Sequence, residues 1–289
     1  MKKFKILIPV YNDWESVFKL LEAIDSKISI FDHEFSVILV DDASTQKIVK
    51  KKFDYKNLKS VNILKMKKNQ GHTRCNATGI KYLTKHDFDY LIVMDGDGED
   101  RPEELGLLVK NVLEKNNSTV AKRVKRSEGF IFTFFYKIHK FITFTFTGKN
   151  MNFGHYCCLK KEDVILLSSK STLWCNFSSS VKKFIKNLDN IPCVRGLRYV
   201  QPSKMSFINL VLYSFSIIAV FKYQVLIRSI LFFLILFVFL EKFSFIVIFL
   251  QSLLIIFTII IFIVSKRGNA LALANATNEI EEVLNIHTK

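Results

Sequence analysis

The chain has 289 residues, enough for one large domain or a domain with an appendage, and its 49% hydrophobic content, rich in Phe, sits beside a formal charge of +16. That pairing fits a membrane-associated protein with a basic cytoplasmic face. It sets nucleic acid aside as a partner, because the basic residues are spread along the chain with no nucleic-acid motif among them. The odd count of 5 cysteines excludes a complete disulfide framework and fits a reducing compartment.

Residues 4–10 read as a first strand, followed by Val17, Leu20, Leu21 and Ile24 at helical spacing. The apolar run behind Lys2, Lys3 and Lys5 is too short for a signal-peptide core and stops at Tyr11-Asn12-Asp13, which places this part in the cytoplasm. Residues 35–40 form a second buried strand that closes on Asp41-Asp42-Ala43-Ser44. A third strand is expected over 61–66, then a turn at Asn69-Gln70-Gly71-His72 into a helix reaching about Leu83.

The stretch DYLIVMDGDGEDRPE, residues 89–103, organises the rest. Residues 90–94 have the continuous apolar character of a strand buried on both faces, and Asp95 begins where that burial ends. In an extended segment Asp95 and Asp97 point to one side, with Gly96 between them giving a ligand room near the backbone. Two such charges are relieved by a proton or a divalent cation, and oxygen-only ligation suits Mg2+ or Mn2+, ions that share their shell with phosphate. Alternating strands and helices imply an α/β fold with a parallel sheet, whose ligands bind outside the carboxyl ends of the strands. Pro9, Tyr11, Asp13, Asp41, Asp42, Asp95 and Asp97 then gather on one rim.

Pro102 suits the first turn of a helix continued by Leu105, Leu108, Val109 and Val112. A strand over 118–122 ends in Lys122-Arg123-Val124-Lys125-Arg126, a basic run on the ligand edge that suits an anion. Residues 130–146 and 206–221 are expected as helices at the bilayer surface, the second with Ser206, Asn209, Tyr213 and Ser216 as its polar stripe. Two apolar runs, 225–240 and 243–264, flank Glu241-Lys242 and read as a transmembrane hairpin. Lys222 and Arg228 at its start and Lys266-Arg267 after it put both ends in the cytoplasm. The tail, 268–289, shows some helical character at Ile280, Val283 and Leu284 and no functional signal.

With IPVYND, VDDAS, NQGHTRCNATG, MDGDGEDRPEEL, AKRVKR and RGLRYVQPSKMS in this order, the chain resembles glycosyltransferase family 2 of the GT-A fold, in its polyprenyl-phosphate branch. The resemblance implies a GT-A domain over 1–203, an interfacial helix over 204–222, a transmembrane hairpin over 223–265 and a cytoplasmic tail over 266–289. It implies that Pro9, Tyr11, Asp13, Asp41, Asp42, Gly71 and Asp95 hold a nucleotide sugar, UDP- or GDP-linked. Asp95, Asp97 and Glu99 are implied to bind Mg2+ or Mn2+, and Arg123, Arg126, Arg198, Ser203 and Lys204 to meet the phosphate of a polyprenyl acceptor. Asp97, Arg123, Arg126 and His155 are the implied catalytic set, and self-association through the membrane segments is compatible with it.

Residues 152–159, NFGHYCCL, depart from the acidic residue and Arg usual in relatives, so this loop's role stays open. Two other readings stay open beside transfer to polyprenyl phosphate: a transferase acting on a glycan or a diacylglycerol lipid, and a membrane-tethered pseudoenzyme that binds nucleotide.

Overall fold

The computed structural model describes residues 1–48, 54–125, 130–200, 206–239 and 244–289. Arg126, Ser203, Lys204 and the Glu241-Lys242 turn lie outside the described residues.

Four strands set the frame. β1 (Lys3–Val10) pairs in parallel with β2 (Glu34–Asp41) on one side and β4 (Tyr90–Val93) on the other, and β3 (Leu58–Met66) continues in parallel beyond β2. Side chains of β1 alternate between two cores. Phe4, Ile6 and Ile8 meet Val17, Leu20, Leu21 and Ile24 of α1 (Trp14–Ile28) and Leu108 and Val112 of α3 (Leu105–Lys115). Leu7 faces the other way, into a cluster with Ile80 and Leu83 of α2 (His72–Leu83). Both faces being covered explains why these strands read as unbroken apolar runs.

Because β1 has β2 on one flank and β4 on the other, the chain's winding reverses beside β1, and a crevice opens at the carboxyl ends of these strands. Val10 pairs with Asp41 and Leu7 with Val93, which brings the residues after all three strands to one edge.

The sheet has eight strands in the order β7-β5-β6-β4-β1-β2-β3-β8. β5 (Ser118–Lys125) and β7 (Leu188–Val194) are parallel to each other, while β6 (Phe153–Lys160) is antiparallel to β4 and β5. Here the sequence reading needs correction, since NFGHYCCL is largely β6 and not a loop: Cys157 and Cys158 pair with Val93 and Ile92 in the middle of the sheet. The tail is corrected too. Ile280–Thr288 forms β8, antiparallel to β3 at the sheet's edge, so the sheet draws on residues on both sides of the apolar segment. Its period is that of a half-buried edge strand, with Leu284 and Ile286 packed against the core.

On the face that Leu7 and α2 share, α5 (Lys161–Ser168) and α6 (Phe177–Phe184) complete the cover. The apolar segments fold as α4 (Phe130–Thr147), α7 (Phe207–Ala219), α8 (Lys222–Val238) and α9 (Ser244–Ser265), ahead of the short α10 (Ala270–Ala274). α8 and α9 run antiparallel, tied by Thr258 to Ser229 at 2.9 Å and by Gln251 Nε2 to the Phe233 carbonyl at 3.3 Å. Among the described residues one stretch, Ser244–Ala274, is long and apolar enough to cross a membrane. The 17 residues of α8 cover about 25 Å, short of the ~30 Å hydrocarbon core, and α8 reaches a span's length only with α7, from which it bends by 86°. At the bend, Lys183 Nζ donates to the Val220 carbonyl at 2.6 Å, capping an acceptor the helix leaves open. Phe141 and Phe144 of α4, Ile227 and Leu234 of α8 and Phe245 and Ile256 of α9 are all exposed, more apolar surface than water-soluble monomers usually carry.

Gly79 tests the packing of α2 on β1, because a Cβ there would stand 2.3 Å from Leu7 Cδ1 in a buried position. Gly79→Val is expected to lower stability by about 1–3 kcal/mol, read as a drop in the thermal midpoint of the detergent-solubilised protein; an unchanged midpoint contradicts the packing.

Candidate active site

The rim is built from three strand ends and one helix start. After β1, Asn12 takes a positive φ of 50°, and its Oδ1 accepts from the backbone N–H of Thr45 and Gln46, joining the first strand's exit to the second's. After β2, Asp41 Oδ1 accepts from Ser44 N at 2.9 Å, closing a tight turn. Asp42 is buried, and its two oxygens accept from Gln70 N at 2.7 Å and Gly71 N at 2.8 Å. These two carboxylates therefore hold the loops together. Tyr11 is 45% exposed above them and Asp13 is partly exposed at the start of α1, while Pro9 is buried in β1. Gly71 sits at φ 90° immediately before α2, a backbone conformation that favours glycine, with open space where a Cβ would stand.

β4 ends at Val93, so strand alternation no longer governs the acidic loop. Asp95 Oδ1 lies 2.9 Å from His72 Nε2 and 3.4 Å from His155 Nδ1, both at ion-pair distance. Its backbone N–H donates to Asp100 Oδ2 at 2.9 Å. Asp97 Oδ1 accepts from Glu99 N at 3.0 Å, and its Oδ2 pairs with Arg198 at 2.8 Å. Glu99 pairs with Arg195 and, at 3.3 Å, with Arg198. Gly96 does not open the backbone to a ligand as expected: a Cβ there would meet Val17, Ile8 and the Pro9 carbonyl at 3.1–3.3 Å, so glycine is needed for packing.

The segment after β7 lies over this loop. Gly196 N donates to the Glu99 carbonyl at 2.8 Å and Tyr199 N to the Asp97 carbonyl at 2.9 Å, with the Tyr199 ring filling the space above Gly98. Arg198, expected at an acceptor phosphate, here stands on the acidic loop itself. Arg123, near the end of β5, lies 3.9 Å from Asp100 Oδ1 and spreads its guanidinium where a side chain at position 154 would be, which is why β6 carries Gly154 there. The other basic and hydroxyl candidates, Arg126, Ser203 and Lys204, lie outside the described residues.

Burial and mutual charge set the protonation of these groups. Burial works against ionised Asp95, yet the adjoining His155 and His72 hold it well below the usual carboxylate range. Burial, then the charges of Asp95 and Glu99, pushes Asp97 up to about 6, and burial with Asp95 pushes Asp100 to about 7. Burial lowers His72, but Asp95, Asp97 and Asp100 outweigh it and raise it above its ordinary value. His155 is lowered, first by burial and then by His72. Asp95 and its neighbouring acids thus raise the pKa values of Asp97 and Asp100, and a divalent cation beside Asp95 and Asp97 would relieve that repulsion. The donor set fits such an ion.

Asp95, Asp97, Glu99, His155, Arg123 and Arg198 come together here, and Asp41, Asp42 and Gly71 build the adjoining loops. Sequence reading missed His72, Asp100 and Arg195. His72 had one usable signal, its place directly after a glycine at the start of a helix on the ligand rim. The apolar helices close one wall: the Tyr213 ring of α7 is 6.3 Å from that of His155, and Asn176 Nδ2 donates to Ser216 Oγ of α7 at 3.3 Å.

Removing the Arg123 cation leaves Asp100 buried without its ion-pair partner. Because the Asp100 pKa is raised, its charge costs stability increasingly as pH climbs from about 4 to about 7. Arg123→Met, followed by thermal unfolding in EDTA, is expected to cost more at pH 8.5 than at pH 5.5; an equal cost contradicts the pairing.

Three comparisons bear on this geometry. An undecaprenyl-phosphate 4-deoxy-4-formamido-L-arabinose transferase of Proteus mirabilis (strain HI4320) is 26% identical over 159 residues, 55% of this chain and 48% of that protein, so the match spans about half the relative's length. The mannosyl-3-phosphoglycerate synthase of Rubrobacter xylanophilus superposes with a TM-score of 0.54 at 12% identity, over 76% of this chain and 72% of that one. The glucosyl-3-phosphoglycerate synthase of Mycobacterium tuberculosis, in complex with Mn2+, UDP and phosphoglyceric acid, gives a TM-score of 0.51 at 11% identity, over 78% of each chain. These two likenesses are of fold, and they bear out the GT-A architecture. The family described as Glycosyl transferase family 2 matches residues 5–162, the part that supplies β1 to β6 and with them the whole acidic rim, and the chain belongs to it.

Proposed function

We propose that the chain is an inverting membrane glycosyltransferase that moves a sugar from a UDP- or GDP-sugar to a polyprenyl phosphate at the cytoplasmic leaflet. Family membership supports glycosyl transfer. The observation that carries the lipid acceptor is the shared wall: Tyr213, on an apolar helix that leads into α8 and α9, packs 6.3 Å from His155, itself against Asp95. A lipid phosphate lying along those helices meets the acidic rim without leaving the bilayer surface. Lys222 and Arg228 on one side and Lys266 and Arg267 on the other keep both ends of the apolar segment cytoplasmic in this reading.

Tyr11, Asp13 and Gly71 line the donor's nucleotide end, on loops that Pro9, Asp41 and Asp42 shape. Asp95 and Asp97 would hold Mg2+ or Mn2+ near the donor's diphosphate, and Glu99, engaged by Arg195 and Arg198, is the least available of the three acids. When bound, the cation supplies charge stabilisation for the departing nucleoside diphosphate. A phosphate monoester has a second pKa of about 6, so the acceptor arrives ionised and needs no general base. The chain's task is then positioning. Arg123, with Arg126, Ser203 and Lys204, receives the acceptor phosphate, and Arg198 exchanges Asp97 and Glu99 for it. Attack by the phosphate oxygen on the anomeric carbon, opposite the leaving diphosphate, inverts that centre with no covalent enzyme intermediate.

Purified protein in detergent, given a panel of nucleotide sugars, a divalent cation and undecaprenyl phosphate, is expected to release nucleoside diphosphate and form a lipid product cleaved by mild acid. An acid-stable product, or turnover only with a glycan or diacylglycerol acceptor, contradicts the proposal. Asp97→Asn is expected to lower turnover by about 100-fold or more with the fold retained. The Mn2+ affinity of the unaltered protein is expected to rise as pH climbs through about 6, where Asp97 loses its proton; a flat profile removes Asp97 from the cation site.

A further inference from the structure

The surroundings of Asp95 are not those of an oxygen-only site. One donor atom each from His72, Asp95 and His155 falls within 4.8 Å of the other two. The imidazole rings are 4.3 Å apart, tilted by 50°. His155 is only 9% exposed, and its Nε2 is buried with no hydrogen-bond partner among the described residues. One protonated imidazole would be enough to neutralise Asp95, and His72 at 2.9 Å already stands where it could do so. A second, buried imidazole stands at 3.4 Å from the same carboxylate oxygen, more than pairing one carboxylate with one cation requires. Meanwhile the acids that sequence spacing offers as partners are engaged, Asp97 with Arg198 and Glu99 with Arg195 and Arg198.

We infer that His72 and His155 are nitrogen ligands which, with Asp95, make this a mixed imidazole–carboxylate centre selective for Mn2+ and later first-row ions over Mg2+. The inference takes from the proposed function only that a divalent cation sits at Asp95. Mg2+ favours oxygen donors and retains water, whereas imidazole suits transition ions and raises their affinity relative to it. The three ligands come from separate places: the first residue of α2, the loop after β4 and the interior of β6, with His155 buried, Asp95 partly buried and the His72 side chain 39% exposed. Helix and sheet fix the backbone from which each ligand starts, which limits the ordering cost of binding. His72 enters from the helix that follows Gly71 and His155 from a strand antiparallel to β4, and the two rings meet side by side at the same Asp95 oxygen.

The test uses the full chain in a nitrogen-free maltoside detergent with Mn2+ as the only added ion. Pulsed electron paramagnetic resonance is recorded on natural-abundance protein and on protein labelled with 15N-histidine. The expected result is a nitrogen hyperfine coupling that changes from the 14N to the 15N pattern on labelling. Combined His72→Gln and His155→Gln substitution is expected to weaken Mn2+ binding by at least about tenfold, the loss caused by removing even an outer-shell partner, while Mg2+ affinity changes little. The labelled wild-type spectrum needs no variant to fold. Mn2+ bound without histidine coupling overturns the inference and leaves the transferase proposal intact, as does nucleoside diphosphate release by protein that binds no Mn2+. Histidine coupling in protein that transfers no sugar to any lipid supports the inference and sinks the proposal.

Discussion

The site depends on keeping one carboxylate ionised in a place where burial opposes its charge. Asp95 follows a strand whose residues are all buried, and burial alone would protonate it. The structure prevents this with two histidines brought in from elsewhere in the chain, His72 from α2 and His155 from β6. The consequences spread outward. Asp95's charge helps to raise Asp97 and Asp100, and Arg198 and Arg123 stand against those two in turn. A fixed anion at the sheet's switch point thus orders a shell of cations around it.

That shell explains the close fit of the segment carrying Arg195 and Arg198. Gly98 and Gly196 allow the two loops to touch: a Cβ on Gly196 would stand 2.8 Å from the Gly98 carbonyl, and one on Gly98 would meet the Tyr199 ring at 2.7 Å. Backbone hydrogen bonds then hold the arginines over the acids. In the proposed reaction the same arginines would also serve a phosphate acceptor. On the other side, α7 sets Tyr213 beside His155, and α7 continues into helices whose outer faces are apolar.

How much of this was legible in the sequence follows from the range of the forces involved. β1, β2, β3 and β4 and helices α1 to α3 were readable because unbroken apolar runs and helical spacing are local patterns. The rim position of Asp41, Asp42, Asp95 and Asp97 followed from the parallel sheet. β6 was read as a loop because glycine, histidine and two cysteines carry little strand signal, and pairing with β4 and β5 decides the matter. β8 was missed for the same reason, its partner β3 lying more than two hundred residues earlier. The roles of single side chains were least legible. Asp42 is consumed by Gln70 and Gly71 N–H groups, Gly96 serves packing, and His72 joins Asp95 from a segment with no sequence motif for metal binding. The hairpin was half legible: apolar length is visible in sequence, but the bend of 86° between α7 and α8, where Phe221 is buried in a tertiary cluster, has no local apolar signal.

The central claim is that Asp95 anchors a cation that faces a donor diphosphate at the edge of the bilayer. It is tested most directly by anomalous X-ray scattering at the manganese edge from crystals of the protein grown with Mn2+ and a nucleoside diphosphate. The account expects a single strong peak within coordination distance of the Asp95 carboxylate and of the diphosphate oxygens. A nucleotide bound at the rim with the manganese peak elsewhere, or with no peak, contradicts it.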